Sequence, residues 1–202
     1  MRSDITVYVV DDDEAVRHSL ELLLQSVGRT VKTFASAQNF LDNYDASKPG
    51  CLILDVRMPE IGGLELQRML NEQRISIPTI IITGHGDVPL AVRAMKAGAV
   101  DVIEKPFNDQ TLLDSIEKAT EKSEEIHESN NSRIKYQRNV EQLSPREREV
   151  MELLVIGKGS KEIAARLSIS PKTVDVHRVH IMEKMGVRTV VELTHLTLHN
   201  SR

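Results

Sequence analysis

Aromatic side chains are scarce in this chain, which has three Phe, three Tyr and no Trp in 202 residues. Any core must therefore be assembled from Leu, Ile, Val, Ala and Met. Cysteine is scarcer still. The single Cys51 excludes an intramolecular disulfide and a cysteine metal cluster and fits a reducing compartment, where a buried strand residue is its expected role. No apolar run approaches the roughly 18 to 20 residues that cross a bilayer, and Met1 to Thr6 lacks the basic and apolar regions of a signal peptide. A cytoplasmic protein without membrane attachment is the expectation. The rest of the composition, 40% hydrophobic and 28% charged, excludes a wholly disordered chain. At about 150 residues per domain, this length suits two small domains.

The formal charge of −4 is unevenly spread. Residues 1–120 hold 12 Lys+Arg against 18 Asp+Glu, whereas residues 143–202 hold 10 against 7. An acidic piece is joined to a basic one, an asymmetry that permits nucleic-acid binding by the second piece without requiring it.

Through the first 120 residues, β-branched apolar runs alternate with amphipathic stretches. Strand-like runs fall at Ile5 to Val10, Thr30 to Phe34, Cys51 to Leu54, Thr79 to Ile82 and Asp101 to Ile103. Between and after them lie helical patterns: one with Val16, Leu20, Leu23 and Val27 on one face, then 36–44, 64–73, 87–97 and 109–120. Runs such as Ile80-Ile81-Ile82 suit parallel strands covered on both faces. The expected fold is an α/β doubly wound, flavodoxin-like sheet of five parallel strands in the order 2-1-3-4-5, with its site at the carboxyl ends of the strands. The next segment is polar and reads as a linker, helical at its start. Beyond Leu143 every pattern is helical, giving an all-α four-helix domain. Ser144-Pro145-Arg146-Glu147 is a capping box with Pro at the first helical position. Gly157 and Gly159 close that first helix. Ser160 is expected to cap the second helix alone, because Ile163 stands where a reciprocal partner would be. Ser170-Pro171 opens a third helix ending before Gly186, and Thr189 opens a fourth.

Asp11-Asp12-Asp13, Asp55, Thr83 and Lys105-Pro106 all fall at strand ends. Three aspartates at a loop tip, taken alone, suit an ordinary solvated turn as well as a site. Carboxylates converging from neighbouring strands repel one another unless a cation intervenes. A hard divalent ion such as Mg²⁺ answers this, keeping waters and taking one or two carboxylates plus a phosphate oxygen. Lys105 and Thr83 suit the oxygens of a phosphoryl group carried by Asp55, a residue type that can form an acyl phosphate.

The segments VVDDDEAVR, LDVRMPEIGGLEL, ITGHGDV and KAGAVDVIEKPF resemble the receiver domain of two-component response regulators, over roughly residues 3–121. The resemblance implies that Asp55 is phosphorylated by a sensor histidine kinase. It implies further that Asp11, Asp12, Asp55 and the backbone carbonyl of Arg57 hold Mg²⁺, that Thr83 and Lys105 bind the phosphoryl oxygens, and that Lys105-Pro106 is cis. Asp13 is left for surface or capping duty, and His85 for a loop. One position departs from the family, which usually has Tyr or Phe where this chain has Val102. The phosphorylation chemistry does not depend on that ring, but the usual aromatic switch does. Movement of Thr83 is expected instead to repack Val102 and the Val88 to Ala97 helix.

Lys161 to Leu167 and Lys172 to Met185 form two helices around a short turn, a helix-turn-helix. Val174, Ile181 and Met185 share a core face, while Lys172, Thr173, Asp175, Val176 and Val179 face away from it. Outward valines suit either a neighbouring helix or the thymine methyl of a major groove, with Lys172 on phosphate and Asp175 discriminating between base edges. The segment LSPREREVMELLVIGKGSKEIAARLSISPKTVDVHRVHIMEKMGV resembles the LuxR-type (NarL/FixJ) DNA-binding domain, closest to the FixJ branch. That resemblance implies Lys172, Thr173, Asp175, Val176 and Val179 near bases, and Ser160, Lys161, His177 and Arg178 as phosphate or framework residues.

The expected whole is a receiver domain (1–121), a linker (122–139) and a LuxR-type helix-turn-helix domain (140–202). It is a transcription regulator, more an activator than a repressor, whose only catalysis is its own phosphotransfer and dephosphorylation. Its expected partners are a sensor histidine kinase, promoter DNA, RNA polymerase and, once phosphorylated, a second copy. The alternatives are a receiver that acts without phosphorylation, an aspartyl-phosphate hydrolase and a flavodoxin-like carrier. Arg57 argues against the hydrolase, since it stands where a second acid would be needed, and the aspartate triplet would repel a carrier's phosphate.

Overall fold

The computed structural model describes residues 5–84 and 88–200, so His85 lies outside the described residues. Contacts divide the chain after His127 into two compact units. Among the described residues no helix is long and apolar enough to cross a membrane.

The first unit contains β1 (Thr6–Val10), α1 (Glu14–Ser26), β2 (Thr30–Phe34), α2 (Ala37–Asn43) and β3 (Gly50–Asp55). It continues with α3 (Gly63–Glu72), β4 (Thr79–Thr83), α4 (Val88–Lys96), β5 (Asp101–Glu104) and the start of α5 (Asp109–Glu141). The five strands are parallel in the order β2-β1-β3-β4-β5. Successive side chains point to opposite faces of a strand, and this period divides the core in two. Tyr8, Val10, Leu52, Leu54 and Ile81 pack with Phe40, Leu66, Leu70 and Ala94 of α2, α3 and α4. Val7, Val9, Cys51, Ile53, Ile80 and Ile82 pack with Leu20, Leu24, Leu112 and Ile116 of α1 and α5. Cys51 is fully buried, and desolvation pushes its thiol pKa up to about 12, which makes it an inert core residue.

Four of the six aromatic rings meet at one corner. Tyr8 lies 5.7 Å from Phe40 and 5.4 Å from Tyr44, both edge-on, and Phe34 packs 5.6 Å from Phe40. Glycine at position 50 makes this possible, since a Cβ there would lie 2.6 Å from the Tyr8 ring. On the opposite side of that face, Gln67 and Asn71 of α3 donate to the Ala94 and Ala97 carbonyls at 3.3 and 2.8 Å, tying α3 to the last turn of α4.

Two details differ from the expectation. The last helix of the unit does not stop at residue 120 but runs to Glu141, through the segment expected as a linker. Apolar periodicity fades there, yet the segment has no Gly or Pro and is rich in Glu, Lys, Arg and Gln, which favour helix without any packing. Ser123 also anchors the helix, its hydroxyl accepting the Gly50 N–H at 2.8 Å.

The second unit packs α6 (Pro145–Val155), α7 (Ser160–Leu167), α8 (Pro171–Met185) and α9 (Val190–Asn200) around Val150, Leu154, Ile163, Val174, Ile181 and Leu193. Tyr136 and Val140 of α5 join this core. The expected capping box of α6 forms: Ser144 N–H donates to Glu147 at 2.8 Å, and Glu147 N–H to the Ser144 hydroxyl at 3.3 Å. The cap of α7 is the second correction. Gly159 occupies the N-cap, and the Glu162 carboxylate accepts its N–H at 3.2 Å, so Ser160 is the first helical residue and its hydroxyl is released for other bonds. The turn into α8 needs a left-handed residue, supplied by Ser168 at φ 56°, after which Ser170 caps α8.

Glu147 also links α6 to α8, since its buried carboxylate accepts from Lys184 Nζ at 2.7 Å. The Lys184 hydrogen bond, reinforced by Ser144 and opposed by burial, holds the Glu147 pKa down at about 2 against an ordinary 4.5. A depressed carboxylate stabilises the fold fully above its unfolded pKa and loses that contribution as pH falls through the folded value. Glu147→Gln should therefore lower stability at neutral pH by about 1–3 kcal/mol. In thermal melts followed by circular dichroism, the gap between parent and variant should close as pH falls from about 5 towards 2.

Candidate functional site

The strand order decides which residues meet. β1 and β3 are neighbours, so Asp11, one residue beyond β1, and Asp55, the last of β3, emerge side by side, with Thr83 ending β4 and Lys105 following β5. Asp11 and Asp55 are buried, at 3% and 7% exposure, and Thr83 is fully buried. The Lys105 ammonium bridges the two carboxylates, 2.8 Å from Asp11 Oδ2 and 2.7 Å from Asp55 Oδ1. Partial burial works to lower the Lys105 pKa, but the hydrogen bonds and charges of Asp11 and Asp55 outweigh it and hold it above its ordinary value.

Backbone groups set the remaining oxygens. Asp55 Oδ2 accepts the Arg57 N–H at 2.6 Å, and Asp11 Oδ1 accepts the Asp13 N–H at 2.9 Å. Asp13 caps α1, accepting from Ala15 N–H at 2.8 Å. The loop of residues 56–62 turns back so that α3 starts directly behind Asp55, the Gly63 N–H donating to the Val56 carbonyl at 3.0 Å. A Cβ at Gly63 would lie 2.2 Å from the Asp55 carbonyl oxygen, so only glycine permits that approach. The Lys105-Pro106 peptide is cis, and the Lys105 N–H donates to the Thr83 carbonyl at 2.8 Å.

Asp11, Asp55 and Lys105 are thus in direct contact, with Thr83 alongside. Asp12 is exposed, and among the described residues no group of three or more His, Cys, Asp or Glu side chains is gathered closely enough to form a metal cluster. Arg57 reaches Asp55 through its N–H. Val102 is half-buried at the edge of the core face that includes Ala94 of α4. One contributor escaped the sequence reading. Arg17 donates through Nη1 to the Asp11 and Asp12 carbonyls at 2.7 and 2.9 Å, shaping the acidic loop. Its position about one turn into α1, within reach of the triplet, was the available signal.

A second surface lies on α8. Val174, Ile181 and Met185 are buried, whereas Lys172, Thr173, Asp175, Val176 and Val179 are exposed, the two valines at 47% and 56%. Lys161 is exposed on α7. Ser160 donates its hydroxyl to Asp175 Oδ1 at 2.8 Å and accepts from Arg178 Nη1 at 3.3 Å, so Ser160 and Arg178 join α7 to α8. His177 is half-buried, and its Nδ1 is enclosed without a hydrogen-bond partner.

Residues 7–117 match the response regulator receiver domain, and residues 141–197 match the luxR family of bacterial regulatory proteins. The chain is 45% identical to the transcriptional regulatory protein FixJ of Rhizobium meliloti, over 97% of this chain and 96% of that one. It is also 45% identical to the response regulator protein TodT of Pseudomonas putida, over 95% of this chain and 84% of that one. Among solved structures, the response regulator StyR matches with a TM-score of 0.86 at 43% identity, covering 96% of this chain and 98% of StyR. Full-length FixJ from B. japonicum matches at 44% identity and a TM-score of 0.58, covering 98% of each chain. With an acidic pocket on the strand ends of one unit and a helix-turn-helix in the other, this chain belongs to the FixJ-type response regulators, two-component transcriptional regulators that join a receiver to a LuxR-type DNA-binding domain.

Proposed function

We propose that Asp55 is the phosphoacceptor and that its phosphorylation controls DNA binding by α8. The observation that carries this reading is the Lys105 ammonium held between Asp11 and Asp55 at 2.8 and 2.7 Å, a cation kept where a phosphoryl group on Asp55 would develop charge. The functional parts proposed are a receiver over 1–121, a connecting segment over 122–139 and a DNA-binding domain over 140–202.

The donor set fits Mg²⁺. Asp11 and Asp55 are hard oxygen donors in contact with one shared cation, two carboxylates against a single ammonium. Asp11, Asp12, Asp55 and the Arg57 carbonyl would hold the ion. When bound, it would supply neutralisation of the phosphoryl oxygens. The chain's own residues do the rest. An Asp55 carboxylate oxygen attacks the phosphorus of a phosphohistidine; the new O–P bond forms as the P–N bond breaks, and the imidazole leaves with the bonding electron pair. Lys105 exchanges Asp55 for a phosphoryl oxygen, and the Thr83 hydroxyl takes another. Beside Lys105 a groove lined by Ala15, Val16, Ser19, Leu23, Pro106 and Phe107 suits the phosphohistidine-bearing helix of the kinase.

Transmission runs through Thr83, Val102 and α4, where Val102 repacks without a ring. On α4, Val88, Val92 and Met95 are exposed at 75%, 45% and 49%, an apolar strip suited to a second phosphorylated copy. Paired DNA-binding domains would double the phosphate contacts. Activation through RNA polymerase is the favoured output, and the chemistry is confined to phosphotransfer and dephosphorylation of Asp55 itself.

Gel-shift titrations of the parent and Asp55→Asn, each with and without phosphodonor, should show tight binding only for the phosphorylated parent; equal affinity in every condition overturns phosphorylation control. Lys105→Met leaves two adjacent buried carboxylates without their cation and should cost about 2–3 kcal/mol in urea unfolding with chelator present. Millimolar Mg²⁺ should restore more stability to this variant than to the parent.

A further inference from the structure

Asp175 is the acidic member of the exposed α8 stripe that carries Lys172, Thr173, Val176 and Val179. Among the described residues its carboxylate pairs with no cation. Oδ1 accepts the Ser160 hydroxyl at 2.8 Å, Ser160 in turn accepts from Arg178 at 3.3 Å, and among the described residues Oδ2 has no hydrogen-bond partner. A bond from the first turn of α7 to α8 therefore fixes the direction of this carboxylate and leaves one oxygen open. A negative charge here opposes every phosphate contact regardless of sequence, and a simple tie between two helices needs no charge.

The four bases differ in what they offer such an oxygen. Guanine presents N7 and O6 and thymine presents O4, all acceptors that repel a carboxylate. Adenine sets its N6 amino group beside the acceptor N7, a pair that suits an amide side chain. Cytosine presents the N4 amino group alone. We infer that Asp175 is a specificity-determining residue that selects cytosine at one position of each operator half-site, accepting a hydrogen bond from N4, with Ser160 and Arg178 as positioning residues. The inference rests on the DNA-binding reading above and adds to it the identity of one base.

The test is selection of duplexes from a random pool by the full-length chain, with phosphodonor and Mg²⁺, followed by sequencing of the bound fraction. The parent should enrich a motif with one cytosine per half-site that depends on Asp175, and changing that C·G pair to T·A should weaken binding about tenfold. Asp175→Asn keeps an acceptor for Ser160 and should move the preference at that position to adenine. Asp175→Ala should lose the preference at that position alone and bind random DNA at least as tightly as the parent. Ser160→Ala should weaken the cytosine preference without installing another base. If Asp175→Asn and Asp175→Ala enrich the parent's motif unchanged, Asp175 only ties α7 to α8 and the inference fails while DNA binding stands. A position that depends on Asp175 but selects thymine or a purine in the parent also overturns it. If the parent enriches no sequence at all, the DNA-binding reading falls together with this one.

Discussion

Two carboxylates buried side by side and sharing one ammonium form the constraint around which the first unit is arranged. Burying Asp11 and Asp55 side by side is costly without a cation between them, and Lys105 supplies that cation. Everything nearby serves that placement. Parallel pairing of β1 with β3 brings the strand ends level, Arg57 N–H and Asp13 N–H hold the outer oxygens, and the absence of a side chain at Gly63 lets α3 close behind Asp55. Two carboxylates against one ammonium leave the site net negative, so it keeps room for a further cation beside Lys105.

The same economy of charge appears in the second unit, in two forms. Glu147 is buried, its Oε2 shared by Lys184 and the Ser144 N–H and its Oε1 3.7 Å from His180 Nδ1, so it joins α6 to α8 as framework. Asp175 is exposed, held at one oxygen by Ser160, and open at the other. The modest excess of basic residues after Leu143 fits a reader that must balance attraction to phosphate against selection among base edges.

Most of the architecture could be read in the residues themselves. The continuous apolar runs of Leu52 to Leu54 and Ile80 to Ile82 marked covered parallel strands, and Ser144, Pro145 and Glu147 marked the start of α6 in its observed register. The errors occurred where periodicity carries no signal. Apolar residues are only scattered between Glu121 and Gln142, at Ile126, Ile134, Tyr136 and Val140, although the polar residues there include good helix formers, so α5 was expected to end early. At α7 a glycine occupied the cap where serine was the stronger statistical choice, and Glu162, not Ile163, stood in the third position. The site residues were visible as a set, but not the exposure of Asp12 or the contribution of Arg17.

The scarcity of aromatics had a local meaning that only packing made plain. Tyr8, Phe34, Phe40 and Tyr44 are spent on one corner of the sheet, and none lies at position 102, where Val102 meets the face shared with α4. The sequence by itself determined the element order, the strand-end positions of Asp11, Asp55, Thr83 and Lys105, and the outward stripe of α8, because these follow from periodicities of two and 3.6 residues along the chain. Only the tertiary structure decided which oxygen Lys105 and Arg57 each hold, and that Ser160 binds Asp175. Lys105 stands 94 and 50 positions from Asp11 and Asp55, and Ser160 stands 15 from Asp175, so these partners are chosen by the distances between packed elements.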